Sequence, residues 1–289
     1  MIILRTVREM QALAQARRAE GKRLALVPTM GALHEGHLAL ARTGRRIADH
    51  VTVSIFVNPT QFGPGEDYGR YPRTLKTDVE ALRAEGLADV IFAPPVEELY
   101  PNSGDGENLT WVTVDSLGDT LCGAYRPGHF RGVTTVVSRL FNACRPDVAI
   151  FGLKDAQQFL IIRRMAEDMC TGIEIVGVET QREPDGLAMS SRNAYLSPEE
   201  RAQAVVLYQA VTAAKRLIEA GEQRSQAIVE TMRKTIGGAP LARLQYAEVV
   251  DEKTLQPAER LVSGQVVLVA VAVFFGTTRL IDNAFVRTP

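Results

Sequence analysis

The stretch LALVPTMGALHEGH, residues 24–37, runs from four apolar residues into a loop that contains two histidines. A short, continuous apolar run is typical of a strand that is buried on both faces of a parallel sheet. The segment HLALARTGRRIAD, residues 37–49, follows with apolar side chains at helical spacing. The stretch therefore predicts a β-strand that leads directly into an α-helix, the repeating unit of an α/β fold.

The same alternation of strand and helix patterns continues on both sides of this stretch. A helix is predicted between Val7 and Arg18, and the apolar runs VTVSIFV, VIFAP, VAIF and IEIVGV alternate with further helical patterns. About five such units favour an open, doubly wound parallel sheet of Rossmann type. In that architecture ligands bind beyond the carboxyl ends of the strands. Functional residues are therefore expected in the loops at these ends.

The pattern changes near residue 181. The polar loop QREPDGLAMSSRN precedes Ser197 and Pro198, a helix N-cap followed by proline at the first helical position. Helices are predicted at 198–220 and 225–237, and the strand patterns RLQYAEVVD, VVLVAVAVFFG and RLIDN follow. We therefore expect two domains, a Rossmann-type domain at 1–180 and a smaller α+β domain at 181–289. Loops are predicted at GPGED and NSGDGEN.

Composition narrows the class of protein. The 289 residues carry a formal net charge of -1, which provides no basic field for a nucleic-acid partner. Cys122, Cys144 and Cys170 are widely spaced without a CxxC pair, which favours unpaired thiols in a reducing compartment. Charge at Arg5 interrupts the N-terminal apolar run, and no stretch reaches the roughly 20 apolar residues of a membrane helix. A cytoplasmic protein without a membrane partner is expected.

His34 and His37 stand three residues apart where the first strand gives way to a helix. They should share one helix face, at a helix N-terminus that favours anions through its free N–H groups and its dipole. A capped surface loop and a metal site are the alternatives. The spacing is not HExxH, and His50 and His129 lie in unrelated segments. A polyphosphate ligand is therefore favoured.

Two later strand patterns also end in polar residues. Asn58 and Gln61 follow VTVSIFV and offer neutral amide donors, although an Asn-Pro turn alone would also explain the first of them. Neutral donors suit a carboxylate that must act as a nucleophile, because a bidentate arginine would damp its reactivity. Lys154, Asp155 and Gln158 follow VAIF and could bind phosphate, ribose hydroxyls and a carboxylate, respectively. A solvated surface lysine is the alternative.

The loop MSSR, Met189 to Arg192, combines hydroxyl groups with a guanidinium between the two predicted domains. On a mobile loop these groups could close over a triphosphate. An ordinary polar linker is the alternative, and the presence of HEGH elsewhere in the chain favours the functional interpretation.

Five motifs, PTMGALHEGH, FVNPTQF, YRPGHFRGV, FGLKDAQQ and GLAMSSRNAYLS, occur in this order across nearly the full chain. In sequence and spacing they closely resemble the pantothenate synthetase (pantoate-beta-alanine ligase) family, which is itself similar to HxGH nucleotidylyltransferases. The resemblance implies an ATP-dependent ligase of pantothenate and coenzyme A biosynthesis. It implies that the (R)-pantoate carboxylate attacks the α-phosphorus of ATP to give pantoyl adenylate and pyrophosphate. The amine of β-alanine then attacks the acyl carbon and releases AMP.

The resemblance also implies roles for individual residues. The catalytic residues would be His34, His37, Lys154, Ser190, Ser191 and Arg192, with His37 as the acid. The ATP-binding residues would be Met30, Gly31, Ala32, Leu33, His34, Glu35, Gly36, His37, Gly152, Leu153, Lys154, Asp155, Gln181, Met189, Ser190, Ser191 and Arg192. Pantoate would contact Gln61, Phe62, Val136, Val137 and Gln158, and β-alanine would contact Asn58, Gln61 and Tyr71. Mg²⁺ would be held through the ATP phosphates rather than by protein side chains.

The family is typically a homodimer, and apolar segments within 110–145 are candidates for the interface. The chain departs from the family pattern at Leu153 and Ala156, where glutamate and an aromatic residue are expected, and at Gln181, where an apolar residue is expected near adenine. These departures bear on adenine packing and not on the reaction. Another HxGH adenylyltransferase with a different acceptor and a nucleotide-binding regulator without catalysis are the competing functions. The retention of both histidines, Lys154 and Ser190 to Arg192 favours an enzyme.

Overall fold

A computed structural model describes residues 1–101 and 110–289, and the loop predicted at NSGDGEN lies outside them. The chain forms two compact units. The first consists of Met1–Gly118, Arg126–Leu153 and Ile161–Glu179, and the second of Asp119–Tyr125, Lys154–Leu160 and Thr180–Pro289. The second unit thus includes two short segments that the sequence pattern did not indicate. The domain boundary between residues 180 and 181 stays a prediction.

Strands and helices alternate through the first unit, and helices precede strands in the second. The strands are β1 Ile2–Leu4, β2 Leu24–Thr29, β3 His50–Ile55, β4 Val90–Phe92, β5 Val148–Gly152, β6 Glu174–Val178, β7 Ala242–Asp251, β8 Val266–Phe275 and β9 Thr278–Arg287. The helices are α1 Val7–Ala19, α2 Glu35–Ile47, α3 Leu75–Ala84, α4 Val96–Leu99, α5 Cys122–Tyr125, α6 His129–Cys144, α7 Ala156–Asp168, α8 Pro198–Ala204, α9 Val206–Glu219 and α10 Ser225–Gly237.

The first unit contains a six-stranded parallel sheet in the order β1-β4-β3-β2-β5-β6. From β2 the chain adds β3 and β4 on one side, and it then returns to the other side with β5 and β6. The order therefore reverses between β2 and β5, and such a switch point is where open α/β sheets bind ligands. The predicted fold class is confirmed.

The sheet has one strand more than the pattern of about five units indicated. β1 is the additional strand; it pairs with β4 at the edge of the sheet. It has only three residues, and Ile2 and Ile3 are exposed. A three-residue edge strand buries too little apolar surface to leave a clear hydrophobic pattern, which is why the sequence did not reveal it.

Side chains from the central strands form the core of the first unit. Val27, Val53, Ile91 and Ile150 are all buried, and helix residues such as Leu40 pack against them. Burial of each large aliphatic side chain stabilises the fold by roughly 1.5–3 kcal/mol relative to exposure. The continuous apolar runs that predicted these strands reflect this burial on both faces.

The second unit contains the antiparallel sheet β7-β8-β9 and the helices α8, α9 and α10. The central strand β8 is almost entirely buried, and its side chains join those of α9 and α10 in one apolar cluster. The helix predicted at 198–220 is two helices, α8 and α9, which meet at Val205. The backbone of Val205 stays helical, at φ -60° and ψ -16°, so the apolar periodicity continues through the break.

Among the described residues, no helix is long and apolar enough to cross a membrane. Cys122, Cys144 and Cys170 are free thiols; the first two are buried and the third is exposed.

Candidate active site

The loop between β2 and α2 is held by the carboxylate of Asp78, which is only 2% exposed. Its oxygens accept hydrogen bonds from the backbone N–H groups of Ala32, at 3.1 Å, and Leu33, at 2.9 Å. Gly31 and Ala32 have positive φ values of 83° and 50°, which turn the chain towards this carboxylate. A Cβ at Gly31 would lie 3.1 Å from Asp78, so glycine suits this position.

Asp78 is a site residue that the sequence analysis missed. It lies in α3 on the same face as Leu75, Val79 and Leu82, where an apolar residue would be expected. A carboxylate at a buried helical position requires hydrogen-bond donors. A carboxylate at an otherwise apolar helical position is therefore the sequence feature that could indicate the supporting role of Asp78.

The two histidines of the HEGH motif lie at the first turn of α2, with ring centroids 4.1 Å apart. His34 is the N-cap: its Nδ1 accepts from the N–H of Gly36 at 3.1 Å, and the Nδ1 of His37 accepts from the N–H of His34 at 3.3 Å. Because each Nδ1 is an acceptor, each neutral ring carries its proton on Nε2. A Cβ at Gly36 would lie 2.8 Å from the His34 ring, which explains the glycine within the motif.

Asn58 and Gln61 follow β3 in the turn NPTQ. Asn58 is 1% exposed; its Nδ2 donates to Oε1 of Gln61 and to the carbonyl of Gly132, each at 3.1 Å. Its Oδ1 accepts from the hydroxyl of Tyr100 at 2.7 Å. The bond from Asn58 orients the Gln61 amide, whose Nε2 lies 3.1 Å from Sδ of Met30. Asn58 therefore acts within the protein as a support for Gln61.

The helix α6 lies directly against this turn at Gly132. A Cβ at Gly132 would lie 2.3 Å from the carbonyl oxygen of Thr60 and 2.8 Å from Cα of Gln61. Both are backbone atoms that cannot move without displacing the turn. The absence of a side chain at Gly132 is thus what permits this close approach.

We expect Gly132→Ala to lower the free energy of unfolding by about 1–3 kcal/mol, because the added methyl group overlaps backbone that is already close-packed. Urea denaturation followed by circular dichroism measures the change. The matched control is Gly237→Ala at the end of α10, where the added Cβ would meet no atom within 4 Å apart from its chain neighbours and the backbone of its own helix. That variant is expected to gain about 0.5–1 kcal/mol. Equal stability of Gly132→Ala and the natural chain would contradict the packing argument.

The YRPGHFRGV motif supports the backbone of the NPTQ turn, residues 58–61. Arg126 forms a bidentate ion pair with Glu66, at 2.7 and 2.6 Å, and its Nη1 lies 3.0 Å from Nε2 of His129. Nδ1 of His129 lies 2.8 Å from the carbonyl oxygen of Gln61. Burial is the largest single influence on Glu66 and opposes its ionisation. The hydrogen bonds and charge of Arg126, a backbone hydrogen bond at Gly63 and the charge of His129 together outweigh burial and hold the pKa of Glu66 below its usual value. The ion pair is therefore formed at neutral pH.

The aromatic and aliphatic residues that the resemblance assigned to pantoate and β-alanine also lie in the first unit. Phe62 packs against Tyr71 in an edge-to-face contact, with centroids 6.0 Å apart. Tyr71 is buried, as are Val136 and Val137 of α6.

The segment after β5 enters the second unit at Lys154. Its Nζ lies 3.8 Å from Oδ1 of Asp155, and its carbonyl oxygen accepts from Nδ2 of Asn283 at 2.7 Å. The two neighbouring glutamines differ in environment. Gln157 is buried and bonds to the backbone of Cys122 and Thr120, whereas Gln158 is half-buried.

The MSSR loop follows a short hairpin in the second unit. Arg182 pairs with Ala188, and the N–H of Met189 donates to the carbonyl of Gln181 at 2.9 Å. Oγ of Ser190 accepts from the N–H of Arg192 at 3.3 Å and caps the short 3-10 helix Ser191–Tyr195. The four residues of the MSSR loop are all half-buried.

The side chains of the HEGH loop, the NPTQ turn, the segment after β5 and the MSSR loop are of types that bind anions. Imidazole, ammonium, guanidinium, hydroxyl and amide groups predominate, and they match phosphate and carboxylate oxygens. Within the ranges 1–101 and 110–289, no three His, Cys, Asp or Glu side chains are grouped as a metal site would require.

A family model described as pantoate-beta-alanine ligase matches residues 2–285. The chain belongs to the pantoate-beta-alanine ligase family. It is 64% identical over 292 residues to a pantothenate synthetase of Salinibacter ruber, with 100% of this chain and 99% of the relative covered. A pantothenate synthetase of Thermoanaerobacter sp. is 47% identical over 283 residues, with 98% of each covered.

Solved structures of family members share this fold. The pantothenate synthetase of Thermus thermophilus matches with a TM-score of 0.89 and 44% identity, covering 98% of this chain and 99% of that one. The pantoate-beta-alanine ligase of Francisella tularensis, complexed with beta-gamma ATP and β-alanine, matches with a TM-score of 0.79 and 31% identity, covering 98% and 97%. As a pantoate-beta-alanine ligase, the chain is an ATP-using enzyme of pantothenate biosynthesis.

Proposed function

We propose that this pantoate-beta-alanine ligase forms pantothenate in two steps through a pantoyl adenylate. The observation that carries the proposal is the first turn of α2, where His34 and His37 both accept backbone hydrogen bonds at Nδ1. This arrangement gives two Nε2–H donors beside a helix N-terminus. Such donors suit a phosphate on which negative charge increases during the reaction.

In the first step, the carboxylate of (R)-pantoate attacks the α-phosphorus of ATP and pyrophosphate leaves. We assign His34 and His37 to hydrogen bonds with the phosphates, and Lys154, Ser190, Ser191 and Arg192 to stabilisation of the developing charge. The nucleotide itself is assigned to the residues that the family resemblance indicated: Met30 to Gly36, Gly152, Leu153, Asp155, Gln181 and Met189.

Pantoate is assigned to the neutral amides of Gln61 and Gln158, with Phe62, Val136 and Val137 packing against its gem-dimethyl group. Neutral donors bind the carboxylate without withdrawing as much charge as a guanidinium would. In the second step, the amine of β-alanine attacks the acyl carbon and AMP leaves. Gln61 and Tyr71 are assigned to β-alanine, and the hydrogen bond of Asn58 to Gln61 supports a contribution of Asn58 through that neighbour.

Three further properties belong to the proposal. Mg²⁺ accompanies ATP and would offset part of the charge of the phosphates. The imidazole, ammonium, hydroxyl and guanidinium groups assigned to the triphosphate are hydrogen-bond donors, so they would bind phosphate oxygens and leave the ion to be held by the phosphates. The protein is a homodimer, with segments of 110–145 as the candidate interface. It acts in the cytoplasm.

The proposal is tested by following pyrophosphate and AMP together, with ATP, Mg²⁺ and pantoate present and with β-alanine included or omitted. Pyrophosphate release should require pantoate, and sustained AMP formation should require β-alanine. Release that is indifferent to pantoate would contradict the proposed first step. Sustained AMP formation without β-alanine would contradict the second.

A further inference from the structure

Asp282 and Asn283 are adjacent residues of β9 that bind two different segments of the second unit. Asp282 is 2% exposed and accepts from both terminal nitrogens of Arg182, at 2.7 and 2.9 Å. Asn283 is also buried, and its Nδ2 donates to the carbonyl oxygen of Lys154 at 2.7 Å. Successive side chains of a strand point to opposite faces, which is how one dipeptide serves two partners.

The bond between Asp282 and Arg182 fixes the hairpin that carries the MSSR loop. The backbone of Arg182 pairs with Ala188, two residues before Ser190. Its guanidinium also donates to the carbonyl of Gly186 at 3.0 Å and lies over the ring of Tyr208, 4.7 Å from the centroid. The guanidinium therefore has a single defined position, and so does the hairpin around it.

The two halves of this cluster are joined to each other. The backbone N–H of Asn283 donates to Oδ1 of Asp282 at 2.8 Å. The carboxylate that binds Arg182 therefore also binds the backbone of Asn283. The Lys154 backbone and the base of the MSSR loop are thus tied to one point of β9.

We propose that Asp282 and Asn283 are positioning residues for the first step of the reaction: they hold Lys154 and Ser190 to Arg192 in a fixed relation. This inference rests on the proposed phosphate-binding roles of those residues. A lysine side chain is long and flexible, so a fixed backbone narrows the positions its ammonium group samples. A displacement of about 1 Å at such a group can cost up to roughly 10²-fold in rate.

A purely structural role is the alternative, and the chemistry of the cluster argues against it. Asp282 is buried and the side chain of Arg182 is 24% exposed. Such an ion pair contributes little net stability compared with apolar residues of the same volume, because burial removes the hydration of the carboxylate and most of that of the guanidinium. The same face of an apolar sheet could be filled by aliphatic side chains. The charged pair holds the hairpin that leads to the MSSR loop, and the neighbouring Asn283 holds the backbone of Lys154. This combination is better explained by the geometry that it imposes on both sets of proposed phosphate ligands.

A double-mutant cycle tests the role of Asn283. Asn283→Ala is measured alone and combined with Lys154→Ala, with steady-state pyrophosphate release at saturating pantoate, ATP and β-alanine as the readout. Alone, Asn283→Ala should lower kcat roughly 10- to 100-fold. In the Lys154→Ala background it should lower kcat less than about twofold, since the group that it positions is gone. Asn283→Asp, which keeps the shape but removes the donor, decides the question if the alanine variant does not fold.

The second arm tests Asp282 in the same way. Asp282→Asn should lower kcat in the natural background and have a smaller effect on top of Arg192→Ala, where only Ser190 and Ser191 still depend on the position of the hairpin. The matched control is Arg201→Gln, which breaks the half-exposed ion pair between Arg201 and Asp185 in the same hairpin and should leave kcat unchanged.

The outcomes separate this inference from the proposed function. Equal losses in both backgrounds, or no loss for the single variants, would show that Asp282 and Asn283 are structural and would leave the role of Lys154 intact. An unchanged rate for Lys154→Ala alone would overturn the proposed role of Lys154 and, with it, the positioning of that residue by Asn283.

Discussion

Replacement of His37 by alanine is expected to lower the rate of pantoate-dependent pyrophosphate release by roughly 10²–10³-fold. The variant removes an Nε2–H donor that we assign to the reacting phosphates, and the loss should fall on kcat because that donor acts most strongly in the transition state. Rapid-quench measurement of the first turnover isolates this step from the release of products.

Two further substitutions at His37 separate catalysis from support of the helix, because Nδ1 of His37 also accepts from the N–H of His34. His37→Asn keeps an acceptor near the Nδ1 position and should stay as slow as the alanine variant. His37→Gln places an N–H donor nearer the Nε2 position and should regain part of the rate. Recovery in His37→Asn instead would assign the effect to the helix cap, which is worth about 1 kcal/mol.

Gln61→Glu is expected to lower kcat/KM for pantoate by roughly 10- to 10³-fold, because the new carboxylate would face the carboxylate of the substrate. Two like charges about 4 Å apart repel by roughly 1 kcal/mol in water and 4 kcal/mol at a protein surface. The KM for ATP should change much less. Initial rates with one substrate varied at a time provide both values.

The matched control for this charge change is Gln11→Glu on α1, whose amide donates only to the backbone carbonyl of Asn142 among the hydrogen bonds described. It adds the same charge at a partly exposed position outside the NPTQ turn and should leave both constants unchanged. Equal weakening of ATP and pantoate by Gln61→Glu would show that Gln61 does not face pantoate in particular.

The sheet could be predicted from the sequence because its central strands are buried on both faces and read as continuous apolar runs. The position of the HEGH loop followed from the same pattern, since β2 runs directly into α2. β1 could not be predicted in this way, because Ile2 and Ile3 are exposed at a sheet edge. The break at Val205 was hidden because the periodicity of the two helices is continuous.

The groups that support the site were harder to predict, because they act across long separations in the chain. Asp78 binds the N–H of Ala32 from 46 residues away, and Gly132 meets the turn of Gln61 through backbone contact. The sequence pattern predicts Asn58 as a neutral amide donor near the substrate, which stays a prediction, but it gives no sign that the Asn58 amide bonds to Gln61 and Gly132. A sequence shows which residue types are present, but the partners that satisfy a buried polar group depend on the folded arrangement.

The bond between Asn283 and Lys154 also has a consequence for the time course of synthesis. The two residues are 129 positions apart. At a translation rate of about 5–20 residues per second, Asn283 is made roughly 6–26 s after Lys154. The strands of the parallel sheet are complete well before that, so a nascent chain can carry a finished sheet while the backbone of Lys154 still lacks its partner. During synthesis, the strands of the parallel sheet are therefore available to pair before Asn283 can bind the backbone of Lys154.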